Sequence, residues 1–249
     1  MPSETTFVGS TGVLRRAVNA GLTNVDPAAN NGWAGACPGC DIDVVNFTSH
    51  ITRNGVEAKL FQNERATRPI LTEAARAAWR GMKAGDLFIF YISGHGGQVR
   101  DLSGDEADGQ DETICLWDGK LSDDVLHDLW EEVPAGVRVL FITDTCNSGT
   151  NFRGVQRQAK YTPKLYERTI PRSFKGQLIH FGGCADGESS YGGDNGGAFT
   201  LALLETFAPG ITYRDWYNRA AAIMPRNQVP TYAEYGAVTD EFRNGEALK

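Results

Sequence analysis

Phe88-Ile89-Phe90-Tyr91-Ile92-Ser93-Gly94-His95-Gly96-Gly97 begins as an apolar run and ends in small residues around a single histidine. It reads as a buried strand that delivers His95 into a glycine-flanked turn. Val139-Leu140-Phe141-Ile142-Thr143-Asp144-Thr145-Cys146-Asn147-Ser148-Gly149 repeats the design with a cysteine. Two such strand ends, side by side, make a Cys/His pair. A thiolate attacks carbonyl carbon, an imidazole can assist it and then protonate the leaving group, and small neighbours let a substrate backbone approach. A lone Cys or His is ordinarily structural. Here Ser-Gly-His-Gly-Gly offers no large side chain for packing, which favours the chemical reading.

The flanking sequence supplies a frame for these strands. Residues 13–22 read as a first strand, and residues 23–39 as a loop rich in Asn, Gly and Pro. Residues 41–54 read as a helix, with Ile42, Val45, Phe47 and Ile51 as its apolar positions and Asn54-Gly55 as its stop signal. A strand follows at 56–61. Thr67 as cap and Pro69 in the first turn then open a helix whose buried stripe is Leu71, Ala74, Ala75, Ala78 and Trp79. Residues 113–117 can form a small hairpin, and 123–133 a helix broken by Pro134-Ala135-Gly136. Further on, 177–183 reads as a strand, 198–207 and 213–224 as helices, and 229–235 as a last strand. This alternation predicts a mostly parallel sheet covered by helices on both faces, with the ligand at the carboxyl ends of the strands.

At 249 residues, 41% hydrophobic and 22% charged, the chain suits one large α/β domain over 1–249. A net charge of −7 argues against nucleic acid as a partner. No apolar stretch approaches the roughly 18 residues that span a bilayer, and the polar start is unlike a signal peptide, so a cytoplasmic protein without membrane association is expected. Five cysteines, one of them needed as a free thiol, fit a reducing compartment better than a disulfide framework. Cys37-Pro38-Gly39-Cys40 invites a redox or zinc reading. Redox chemistry wants such a pair opening a helix after a strand, and zinc wants a second ligand pair, which leaves loop packing as the preferred role. The Gly-His-Gly-Gly turn is no phosphate loop, because no Lys-Ser/Thr follows it.

Asp144 lies two residues before Cys146, so strand alternation points it to the same side. Negative charge raises a thiol's pKa, so this aspartate is poorly suited to activating the cysteine and well suited to holding a cationic substrate side chain. A capping or turn role is the plainer alternative. A second acidic constellation runs through Asp105, Glu106, Asp108, Asp111 and Glu112 to Asp123 and Asp124. Clustered oxygen ligands suit calcium, although the spacing is not that of the twelve-residue EF-hand loop, and a solvated acidic face is the alternative.

Tyr91-Ile92-Ser93-Gly94-His95-Gly96, then Asp105-Glu106-Ala107-Asp108-Gly109-Gln110-Asp111-Glu112, then Asp144-Thr145-Cys146-Asn147-Ser148-Gly149 resembles the metacaspases, caspase-related cysteine peptidases. The spacing agrees with a caspase His roughly 50 residues upstream of the Cys. The resemblance implies a caspase-like α/β/α sandwich with a mostly parallel, six-stranded sheet. It also implies Cys146 as nucleophile, His95 as acid/base, and an Arg/Lys pocket lined by Asp43 of the Gly39-Cys40-Asp41-Ile42-Asp43 segment, Ser93 and Asp144. The oxyanion is expected on the backbone N–H groups of Gly96 and Cys146. Asp111, Asp123 and Asp124 match calcium-binding positions, while the fourth acid expected shortly after the cysteine is missing, and Asn147 stands where the family usually has His. Residues 150–175 carry seven Lys or Arg against one acid. The resemblance makes this stretch a linker between a large-subunit-like part (1–149) and a small-subunit-like part (177–249), and a place for self-cleavage at Arg157, Lys160 or Lys164. The expected activity is cysteine endopeptidase on protein or peptide substrates with Arg or Lys before the scissile bond. The alternatives are an inactive caspase-like adaptor and a thiol-redox protein using Cys37 and Cys40.

Overall fold

The computed structural model describes residues 6–7, 12–100, 110–147, 173–184, 192–193 and 195–249, and at Asp111, Asp123 and Cys146 it describes the backbone. Arg157, Lys160 and Lys164 lie outside the described residues. The elements are β1 (Arg15–Gly21), α1 (Cys40–Arg53), β2 (Glu57–Gln62), α2 (Arg68–Trp79), β3 (Leu87–Arg100), β4 (Gln110–Leu116), β5 (Gly119–Ser122), α3 (Asp123–Glu131), β6 (Arg138–Asn147) and β7 (Gln177–Gly182). They continue with β8 (Gly192–Gly193), β9 (Gly196–Gly197), α4 (Ala198–Thr206), α5 (Tyr213–Ile223), β10 (Thr231–Gly236) and α6 (Asp240–Asn244).

The main sheet has the order β10-β7-β6-β3-β1-β2, with β10 antiparallel at one edge and its other neighbours parallel. β4 and β5 extend it to eight strands beside the far half of β3. Period-two alternation along β3 splits the core into two layers. Phe88, Phe90 and Ile92 pack with α2 and α3, whereas Leu87, Ile89 and Tyr91 pack with α1, α4, α5 and α6. Phe90, Phe141 and Trp130 form the aromatic centre of the first layer, with ring centroids 5.4–6.3 Å apart.

From β1 the chain crosses by α1 to β2 on one side, and then by α2 back over to β3 on the other. The direction of winding therefore reverses between β1 and β3, which opens a crevice at the carboxyl ends of those strands. The loop after β1 and the start of α1 line one side of it.

Three local expectations are corrected. The Gly-His-Gly-Gly segment is strand, not turn: β3 runs through it to Arg100 because β4 takes up pairing where β1 stops, with His95 opposite Cys115. In α1 the buried stripe is Cys40, Asp43, Val44, Phe47 and Ile51, leaving Ile42 and Val45 at 38% and 45% exposure. Spacings of three and four residues define that stripe, so Asp43 is carried into the interior by its apolar neighbours. Finally, Cys37 and Cys40 are joined as a disulfide within one loop, where free thiols were expected.

Candidate active site

The parallel register of β3 and β6 sets the site in rows. Ser93 stands opposite Asp144, and two residues further on His95 stands opposite Cys146. Residues two apart on a strand share a face, so the Ser93–Asp144 row and the His95–Cys146 row follow one another along the same pair of strands.

His95 is half-buried, and its Nε2 lies 3.0 Å from the carbonyl oxygen of Ala36. A carbonyl only accepts, so Nε2 is the donor in this contact. Trp33 packs at 5.0 Å from the imidazole. The loop holding Ala36 is tied down by the Cys37–Cys40 disulfide, which joins it to the first residue of α1, and by the Cys37 N–H donating to the Thr23 carbonyl at 2.8 Å.

Asp43 and Asp144 are 1% and 3% exposed. Ser93 Oγ donates to Asp43 at 2.8 Å, and the Gly197 N–H is shared between its two oxygens at 2.8 and 2.9 Å. Asp144 accepts from both the N–H and the hydroxyl of Thr200, at 3.0 and 2.8 Å. Both carboxylates thus meet the N-terminal turn of α4, where unpaired N–H groups and the helix dipole favour negative charge. Asp144 caps that helix from β6 and also faces Asp43. Burial, and then the charge of Asp144, push the Asp43 carboxyl up to about 7 despite the bonds from Ser93 and Gly197. Burial and the same two carboxylates hold the Tyr91 phenol well above its usual range, so it stays protonated; its hydroxyl lies 2.6 Å from Thr200 Oγ1.

Glycines make this crowding possible. A Cβ on Gly197 would lie 2.4 Å from Asp144 Oδ2 and 3.0 Å from Asp43 Oδ2. Gly39, at the N-cap of α1 with φ +90°, brings that helix start against the β8–β9 hairpin: a Cβ there would lie 2.2 Å from the Gly193 carbonyl.

The structure therefore brings together Asp43, Ser93 and Asp144, and it sets the backbones of His95 and Cys146 side by side. Gly96 lies between Ile114 of β4 and Asn147 of β6. Apart from these residues, the pairing of Thr113 with Ser122 sets the backbone of Asp111 and the start of α3, with Asp123 and exposed Asp124, at the same end of the β4–β5 hairpin. Among the described residues no group of three or more His, Cys, Asp or Glu is placed to hold a metal ion, and the side chains of Asp111 and Asp123 lie outside them. Ala36, Tyr91, Gly197 and Thr200 were not singled out as site residues from the sequence. Gly197-Ala198-Phe199-Thr200 did fall within the region of resemblance, but two of its contributions are main-chain N–H groups, which leave no side-chain signature.

An α/β sheet with a histidine and a cysteine in register at the carboxyl ends of neighbouring parallel strands defines a caspase-like class of protein. Residues 39–153 match the family model described as metacaspase, peptidase C14 domain. Metacaspase-1 of Mycosarcoma maydis is 38% identical over 133 residues, covering 48% of this chain and 33% of that protein. Metacaspase-3 of Arabidopsis thaliana is 32% identical over 169 residues, covering 59% and 46%. The chain thus spans less than half the length of these relatives. Among solved structures, protein GSU0716 from Geobacter sulfurreducens superposes with a TM-score of 0.79 at 31% identity, covering 94% of this chain and 98% of that one. The chain is thus similar to the metacaspases, over residues 39–153 by the family model and over 48% and 59% of its length by these two relatives.

Proposed function

We propose that the chain is a cysteine endopeptidase that cuts proteins or peptides after Arg or Lys. The observation that supports this best is the succession of rows on β3 and β6, Ser93 with Asp144 and then His95 with Cys146, joined by Asp43 from α1. Two buried carboxylates repel one another, and a guanidinium or ammonium between them relieves that repulsion while accepting none of the local donors. The pocket therefore selects a cation one strand row from the reacting groups.

In the reaction, His95 Nδ1 takes the thiol proton as Cys146 sulfur bonds to the scissile carbonyl carbon. The carbonyl becomes an oxyanion, received by the backbone N–H groups of Gly96 and Cys146. Collapse breaks the C–N bond, and the His95 proton goes to the leaving amine. Water then attacks the thioester, giving a proton to His95; the C–S bond breaks, the acid product leaves and the thiol is restored. The Ala36 carbonyl steadies the imidazolium through Nε2–H.

Asp111, Asp123 and Asp124 would hold calcium, which would supply neutralisation of their mutual repulsion. Self-cleavage in the 150–175 stretch, at Arg157, Lys160 or Lys164, follows from the same preference for basic residues. Fluorogenic peptides ending in Arg, Lys or Asp, assayed with calcium and with chelator, test the reading on wild type and Cys146→Ala. Turnover of the Arg and Lys peptides by wild type alone supports it. Equal turnover by Cys146→Ala, or comparable cleavage after Asp, overturns it. Intact-mass measurement on the same samples reports self-cleavage, and equal nicking of Cys146→Ala would refute that part.

A further inference from the structure

The Thr200 hydroxyl touches both Asp144 and the phenol of Tyr91. An ionised carboxylate accepts and cannot donate, so the Thr200 hydroxyl hydrogen points to Asp144 Oδ2. The Thr200 oxygen must then receive its second hydrogen bond from Tyr91, whose hydroxyl is fully buried and stays protonated. The order Tyr91 O–H to Thr200 O–H to Asp144 is fixed in direction and ends on a negative charge. The Thr200 N–H, on the first turn of α4, adds a second donor to the same oxygen. Asp43 also receives one N–H and one hydroxyl, but its Gly197 N–H is shared between both carboxylate oxygens, whereas both Thr200 donors converge on Asp144 Oδ2.

We propose that Thr200 is a positioning residue for the cationic substrate side chain, acting through Asp144: it locks that carboxylate ionised and in one orientation, so that Asp144 carries the permanent charge of the pocket and Asp43 the exchangeable proton. This rests on the reading of the pocket as an Arg/Lys site and goes further, because it divides the labour between two carboxylates that the sequence motif leaves equivalent. The groups facing Asp43 agree with the division. Asp41 comes from its own helix, Asp144 from β6, Tyr91 and Ser93 from β3, and Gly197 from the start of α4; none of these is a cation. The proton that must leave when a cation enters is therefore that of Asp43, and the Thr200 chain decides this.

The test compares wild type, Thr200→Val, Thr200→Ser and Tyr91→Phe with Arg-terminated fluorogenic peptides across pH, and titrates benzamidine, a cation that cannot be cleaved, into each by calorimetry. Thr200→Val keeps the shape and the N–H but removes the hydroxyl donor to a charged group. It is expected to raise KM and weaken benzamidine about tenfold with kcat nearly unchanged. Thr200→Ser should restore both to within about twofold, and Tyr91→Phe, which removes only the outer donor, should fall between. Thr200→Val should also broaden the pH dependence of KM, since the proton is then shared between the two carboxylates. Unchanged KM and benzamidine affinity in Thr200→Val, or a loss that serine does not repair, overturns the assignment, and so does a fall in kcat at constant KM. If the valine variant does not fold, Tyr91→Phe and Thr200→Ser decide: a wild-type KM in Tyr91→Phe overturns it. A wild type that neither cleaves Arg peptides nor binds benzamidine defeats the pocket reading itself and the proposal with it, an outcome distinct from a functional wild type with indifferent Thr200 variants.

Discussion

The two halves of the β3–β6 pair share one unbroken register and differ in everything else. In the amino-terminal half Phe88 stands opposite Val139, and Phe90 opposite Phe141, all buried among the aromatic side chains of the α2–α3 layer. In the carboxyl-terminal half Ser93 stands opposite Asp144, and His95 opposite Cys146. A slip of one residue would send every side chain to the other face. The apolar half holds the register by burial, while the polar half brings Asp144 of β6 against Asp43 of α1 and so concentrates like charge. The site is thus placed by contacts that take no part in its chemistry.

The sharpest way to break this division is to remove the reacting groups. Cys146→Ala and His95→Ala are each expected to lower turnover by about 10⁴-fold or more, measured on Arg peptides. His95 is half-buried, so its replacement should shift the melting temperature far less than a cavity in the apolar half. Phe141→Ala supplies that cavity. It should cost about 3–5 kcal/mol in denaturant unfolding, with kcat/KM per folded molecule largely retained. A Phe141→Ala protein that folds normally yet has lost activity would contradict the separation.

Within the polar half, Asp144→Asn should reduce kcat/KM for Arg and Lys peptides about ten- to a hundredfold, because a charge-assisted contact is removed next to the α4 N-terminus. A smaller effect is expected at Asp43. In the folded chain its proton is retained up to about pH 7, whereas an unfolded aspartate releases it near its ordinary value of 3.8. The folded state therefore binds the extra proton between these limits. This contribution to stability is fully present below about pH 4 and is lost as pH rises through 7. Asp43→Asn should flatten the decline in melting temperature between pH 5 and 8. It should also abolish the improvement in Arg-peptide KM expected of wild type as pH rises through about 7. An unchanged slope in the variant would assign the proton elsewhere.

Much of the architecture could be read from local pattern. The Thr67 cap is made, its hydroxyl accepting from the Ile70 N–H at 3.4 Å, and the stripe Leu71, Ala74, Ala75, Ala78 and Trp79 is buried as its spacing requires. The fate of β3 was not legible in the same way. Glycines flanking His95 have the composition of a turn, and only pairing with Gln110–Leu116, distant in sequence, makes them strand. In α1 the sequence offers apolar residues on more than one face, and tertiary packing chose the face carrying Val44 and Asp43 over that of Ile42 and Val45. The short α6 escaped notice because its start signal is a single cap, the Thr239 hydroxyl accepting from the Phe242 N–H. At the site, side chains with distinctive chemistry could be named in advance. Their partners on α4 and the Ala36 loop depend on where remote segments come to rest.

Several of those partners are main-chain atoms, and this sets a limit on what substitution can reveal. The position that accepts from His95 is already an alanine, so an alanine scan passes over it without a signal. Thr200→Ala would keep the N–H that reaches Asp144, and any side chain at Gly197 would report a collision with the Asp144 carboxylate, not the loss of its N–H to Asp43. Drift in sequence can therefore rewrite the Ala36 loop extensively while its carbonyl stays in place. The atoms that aim the imidazole and hold Asp43 are open to chemical replacement of the amide by an ester and largely closed to genetics.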